Sequence, residues 1–128
     1  RKAQDFGPTD IAKLCWAFAK FDYVDQAAAF WAAMEGAVER QVHLGKFVDV
    51  SMIAWAFGTV EMGSKAMFAA ISRTTMAMLP TLPPQSLANI AWAFTRAGQK
   101  DSELFEGIAR RAHEVVQDFV DFDVSNLC

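Results

Sequence analysis

No run of about eighteen consecutive apolar residues, the minimum for a membrane-spanning helix, occurs in this chain. Its most apolar stretch, residues 27–38, is short and broken by Glu35 and Gly36. Cysteine is scarce: Cys15 and Cys128 are the only two, too few for a disulfide framework. Histidine is equally scarce. His43 and His113 have no partner at ligand spacing and no serine or cysteine that helical periodicity would bring beside them, which excludes a zinc-type metal site and a nucleophilic triad. The seven glycines are scattered and form no phosphate-cradling fingerprint. A basic excess is missing as well, for the net charge is −3 with a pI near 5.3, whereas nucleic-acid binders usually carry a positive footprint. The opening residues Arg1-Lys2-Ala3-Gln4 show neither an initiator methionine nor an apolar signal core, so the chain reads as an excerpt of a longer protein. No catalytic, metal or cofactor role is expected of it.

What is present is helix-forming and repetitive. Over 128 residues, 53% are apolar, enough for a packed core and far from a disordered composition. Alanine is abundant, strand-type alternation is absent, and the expected class is all-α. Self-similarity then sets the organisation. One octet recurs as Ile11-Ala-Lys-Leu-Cys-Trp-Ala-Phe18, Val50-Ser-Met-Ile-Ala-Trp-Ala-Phe57 and Leu87-Ala-Asn-Ile-Ala-Trp-Ala-Phe94. A fourth copy opens at Val124-Ser-Asn-Leu-Cys128, with Cys128 in the place of Cys15. Downstream of each tryptophan comes a second anchor: Phe30-Trp31 with Met34, Met67-Phe68 with Ile71, Leu104-Phe105 with Ile108. The spacing predicts an α-solenoid of stacked helix-turn-helix repeats at about 8–46, 47–83 and 84–119, with a partial fourth at 120–128. Two extra residues in the first repeat fall in the turn around 21–25.

Each repeat divides into two expected helices, A over 9–21, 49–60 and 84–97, and B over 26–42, 64–79 and 101–117. Pro84 suits a first helical turn, and Thr9, Asp49 and Asp101 are candidate caps or first-turn acids. Gly63 and Gly98 mark A–B turns; Gly45 and residues 80–84 punctuate the B–A connections. Counted from the tryptophan, apolar residues recur at −5, −2, +2 and mostly +5 (Ile11, Leu14, Phe18 and Phe21 in the first repeat), a stripe of period near 3.6. Trp16, Trp55 and Trp92 have rings that could stack on nucleic-acid bases, but their neighbours at −2, −1 and +2 are core-like and they are read as members of this core. Met62, Met67, Met76 and Met78 are read as core and turn filler. Cys15 and Cys128 are expected three repeats apart, beyond bridging distance.

The tryptophan-centred helix, in its best copy Leu87-Ala-Asn-Ile-Ala-Trp-Ala-Phe-Thr-Arg-Ala-Gly98, resembles the octotricopeptide and heptatricopeptide repeats, and the related helices that precede RAP domains or occur in FAST-kinase-like proteins. The resemblance covers nearly the whole chain; Phe47 departs from it, standing where Pro8 and Pro84 stand in the other repeats. It implies an α-solenoid of mitochondria or plastids, binding RNA in transcript stability, processing, translation or ribosome biogenesis, with no enzymatic activity in the repeats. Positions −6, −3, +1 and +4 then become the expected RNA-facing set. They carry Asp10, Lys13, Ala17 and Lys20; Asp49, Met52, Ala56 and Thr59; Ser86, Asn89, Ala93 and Arg96; and Asp123 and Asn126 of the fourth set. Alanine at +1 would admit a ligand to the helix. Lys13, Lys20, Met52, Thr59, Asn89, Arg96 and Asn126 are the candidate RNA-binding residues, on the pattern of readers that place one base per repeat against two or three side chains. A solvated helix face has the same composition, and the acidic balance suits the other candidate role, a protein–protein scaffold subunit of a large organellar assembly.

Overall fold

The structure is a computed structural model that describes residues 6–21 and 27–127, with side chains as far as Gln117. Among the described residues the chain is all-helical, with no strand. Its elements are α1 (Pro8–Lys20), α2 (Ala28–Gln41), α3 (Phe47–Val60), α4 (Lys65–Met78), α5 (Pro84–Arg96) and α6 (Ser102–Leu127). Single 3₁₀ turns at Val42–Leu44 and Leu79–Thr81 continue α2 and α4. No described helix is long and apolar enough to cross a membrane.

The helix starts are set by short polar residues. Asp10 and Asp49 sit three residues into α1 and α3, where each carboxylate accepts the amide of the residue before the helix, Gly7 at 3.2 Å and Lys46 at 3.0 Å. Ser64 accepts the Met67 amide at 3.1 Å, and Asp101 the Leu104 amide at 3.0 Å. Two of these carboxylates also reach a neighbouring helix. Thr9 donates its hydroxyl to Asp49 at 3.1 Å, and Ser72 donates to Asp101 at 2.6 Å. The ends of α3 and α5 follow one pattern. Met62 and Gln99 donate back to Phe57 and Phe94, and the residue before each is left-handed, Glu61 at φ 54° and Gly98 at φ 69°. Glycine suits that conformation; a residue with a Cβ there costs about 1–2 kcal/mol.

Two layers result. In the first, α3 lies between α1 and α5; in the second, α4 lies between α2 and α6, and α1, α3 and α5 rest on α2, α4 and α6. The apolar stripe fills the space between them in α3 and α5, where Val50, Leu87, Ile53, Ile90, Phe57 and Phe94 are all buried. On α1 it is only partly covered: Ile11 is buried and Phe18 half-buried, but Leu14 and Phe21 are exposed, since no further helix packs on the other side of α1 among the described residues. One aromatic junction occurs twice. Trp31 meets Phe57 edge-on, with centroids 5.1 Å apart, and Phe68 meets Phe94 the same way, also at 5.1 Å. Within the first layer the spacing is set by residues with little or no side chain. A Cβ on Gly58 would lie 2.7 Å from the Cα of Ala93, so α3 and α5 touch almost backbone to backbone.

Five expected helix spans agree with those observed to within two residues. The sixth does not. Helix α6 runs on to Leu127 instead of ending near 117, since no glycine or proline follows Gly107 to stop it. The expected partial repeat at 120–128 is therefore the continuation of α6 up to Leu127. The turn assigned the two extra residues lies mostly outside the described residues, as does Cys128.

Cys15 is a small core residue as expected. It is fully buried, and loss of hydration pushes its thiol from 9.0 up to about 12. The folded protein should leave Cys15 unalkylated by iodoacetamide at pH 8 in a Cys128→Ser background, with labelling appearing only in denaturant. Because the raised value favours the neutral thiol in the fold, this stabilisation is complete below pH 9 and is lost as pH rises from 9 toward about 12. Rapid labelling of native protein would show that the thiol is open to solvent.

Candidate functional site

The expected ligand face divides when placed on the structure. Positions −6 and +1 do not belong to it. Asp49 and Ser86 are buried, and so are Ala56 and Ala93, which are fully enclosed within the first layer. Only Ala17, on α1, is open. The +1 alanines therefore admit a neighbouring helix and not a ligand: Ala93 is the residue that meets Gly58.

Positions −3 and +4 do reach the surface. Lys13, Lys20 and Arg96 are exposed, while Met52, Asn89 and Thr59 are half-buried. Thr59 turns its hydroxyl inward, donating to the Trp55 carbonyl at 2.8 Å. Arg96 reaches Glu61, at the end of α3, at 3.5 Å. With both partners solvated, that pair contributes little to stability and leaves the guanidinium open to a competing anion. Asn126 falls in the last turn of α6, where side chains are not described.

The tryptophans require a correction. Trp16 and Trp92 are not core residues, while Trp55 packs against the edge of the core. Trp16 and Trp92 are each 42% exposed, and Trp55 is half-buried. The reason is rotational. Two residues advance a helix by about 200°, so a residue midway between the −2 and +2 positions points away from their side of the helix, which is buried at Ile53, Phe57, Ile90 and Phe94. The indoles instead join the −3 and +4 side chains on the outer face of the first layer, one on each of α1, α3 and α5. Two of them lie beside a cation: the Lys20 ammonium is 5.8 Å from the Trp16 ring centroid, and the Arg96 guanidinium is 5.7 Å from that of Trp92. At exposed sites such interactions are worth about 0.5–1 kcal/mol, enough to bias the rings' orientation and weak enough to be exchanged for a better partner.

Both layers carry charged residues. On this face the exposed ions are Lys13, Lys20 and Arg96, with Glu61 beside them. The acids of the first-layer helix starts, Asp10 and Asp49, are engaged with backbone amides. On α2, α4 and α6, in the second layer, Glu35, Glu39, Glu103, Glu106 and Glu114 are interspersed with Arg40, Lys65, Arg73, Arg110 and Arg111. The outer face of α1, α3 and α5 thus differs from the other layer in pairing its cations with exposed indoles.

Elsewhere there is little that resembles a reaction centre. Among the described residues, no three His, Cys, Asp or Glu side chains stand close enough to hold a metal. An apolar groove of about 370 Å³ lies between α5 and α6, lined by Leu87, Ala91, Ile108, Ala112 and Val116. Comparison with known families, curated proteins and solved structures gives no match to this chain.

Proposed function

We propose that this chain is part of an organellar RNA-binding helical-repeat array, a solenoid of three helix-turn-helix repeats that follows RNA along the outer face of α1, α3 and α5 and acts in RNA stability, processing, translation or ribosome biogenesis. The observation that carries this reading is the pairing of cations with exposed aromatic rings on one face. Lys13, Lys20 and Arg96 share the first-layer face with the exposed indoles, although acids outnumber bases in the chain as a whole. Phosphate neutralisation by such residues releases counterions and supplies most of the sequence-independent affinity for nucleic acid. Asn89 and Met52 vary at −3 beside them, as expected of positions that modulate base preference. The recurring Trp31–Phe57 and Phe68–Phe94 junctions support the repeat register, and the resemblance to octotricopeptide-type helices supports mitochondria or plastids as the compartment.

The test is a salt titration of single-stranded RNA binding by the full-length protein, comparing wild type with Lys13→Ala/Lys20→Ala/Arg96→Ala. If all three side chains neutralise phosphate, the slope of log K against log salt should fall by about 2, that is about 0.7 for each phosphate of a single strand left without its cation. Binding that is absent, or indifferent to these changes, would favour the second reading, a non-catalytic scaffold subunit of an organellar complex. The observation behind that alternative is the apolar groove between α5 and α6, a surface of the kind that protein partners cover.

A further inference from the structure

We propose that Trp16, Trp55 and Trp92 form a stacking track for the unpaired bases of a single strand, so that the face holds RNA by base–indole stacking as well as by charge. This rests on the RNA reading above and specifies how that site works. Three observations support it. The rings sit at the same position of three adjacent helices of one layer, Trp16 and Trp92 exposed and Trp55 partly buried between them. With neighbouring helix axes about 8–10 Å apart, they mark a track roughly 16–20 Å long, which suits a periodic polymer. Large apolar rings are costly to expose, yet Trp16 and Trp92 remain 42% exposed while Trp31, in the same chain, is fully buried. Finally, the cation next to each exposed ring supplies phosphate-binding charge within reach of any base placed on it.

The cations do not block the rings. A base–indole stack is stronger than an exposed cation–π interaction, so an arriving base displaces Lys20 or Arg96 from the ring and leaves it free to turn to the flanking phosphate. Every base has a π-face, so the track itself tolerates sequence. Base pairing hides those faces, so the ligand is single-stranded. Trp55 differs from its neighbours, being half-buried and flanked by Thr59 in place of a cation. The two outer rings are therefore expected to hold the strand most strongly.

The experiment compares two probes on the full-length protein by fluorescence anisotropy: a short oligouridylate, and an abasic oligomer of equal length that keeps every phosphate but has no base to stack. The wild type should bind the oligouridylate about a hundred-fold or more tightly than the abasic strand, and Trp16→Leu/Trp92→Leu should lose about ten-fold for each ring removed. Affinity for the abasic strand should not change, and Trp16→Phe/Trp92→Phe should retain most of the oligouridylate binding. Equal affinity of the wild type for the two probes would overturn the stacking track while leaving the RNA reading intact, and that comparison requires no variant to fold. The track would be overturned equally if the leucine pair, shown to be folded by its melting curve, bound oligouridylate like the wild type. If neither probe binds at low salt, the track and the RNA reading fail together, and the aromatic face belongs to a protein partner.

Discussion

Trp31→Ala is expected to cost about 3–5 kcal/mol of folding stability, the range for removing a large aromatic side chain from a closed core. Trp31 has no exposed surface and meets two rings edge-on, Phe57 at 5.1 Å and Phe30 at 5.2 Å. Such pairs add about 0.5–1.5 kcal/mol to simple area burial, and the cavity left behind would open at the junction of α2 and α3. For a chain of this length the loss corresponds to a fall of roughly 10–20 °C in Tm. Trp92→Ala supplies the internal control. It removes the same side chain from a half-open site and should cost about 1 kcal/mol or less, in line with surface substitutions. Urea unfolding of both variants would check the pair. Equal losses would mean that the division into core and face tryptophans is wrong.

Gly58→Val is expected to be the next most damaging change, at about 3 kcal/mol, near the top of the range for overpacking. Any Cβ at this position would approach the Ala93 Cα at 2.7 Å and its Cβ at 3.0 Å. Most of the obstacle is backbone, which cannot swing aside as a flexible side chain would. Relief requires α3 and α5 to separate, which would also pull Trp55 away from Trp92 on the outer face. Gly58→Ala is opposed by the same close approach but gains about 1 kcal/mol of helix propensity, so its net loss should be smaller. Adding Ala93→Gly should recover part of that loss and not all, because the backbone of α5 still stands in the way of the new methyl group. A Gly58→Ala variant more stable than wild type, as an exposed helical glycine would give, would show that the two helices do not touch here.

These expectations show where the chain was readable from residue order and where it was not. Helix spans were readable because proline, glycine and short polar residues interrupt a strong 3.6-residue stripe. The partners of Phe57 and Phe94 were readable as recurring anchors, though not as edge-on junctions. The exposure of the tryptophans was misjudged although the signal was present. Ile53 and Phe57 flank Trp55 at −2 and +2, and that offset alone turns the indole away from their side of the helix. Core-like neighbours at −2, −1 and +2 suggest a core position only while their angular offset from the indole is ignored. The +1 alanines were ambiguous in a different way. A small residue admits a ligand or another helix equally well, and the decisive clue, Gly58 two positions beyond Ala56, sat one helix away from the alanine it receives. The length of α6 followed from the absence of a stop signal, which a repeat-based reading overrides.

Asp49 and Asp101 have a consequence for how the stack comes apart. Each carboxylate satisfies the start of its own helix and takes a hydroxyl from the helix before it in the same layer, Thr9 of α1 in one case and Ser72 of α4 in the other. Fraying of α1 thus removes a ligand from the cap of α3, and disorder in α4 does the same to α6. In a one-dimensional array, the free energy shared between neighbours decides whether units melt singly or in concert. Two shared caps, one in each layer, raise that coupling at helix ends, where it would otherwise be weakest.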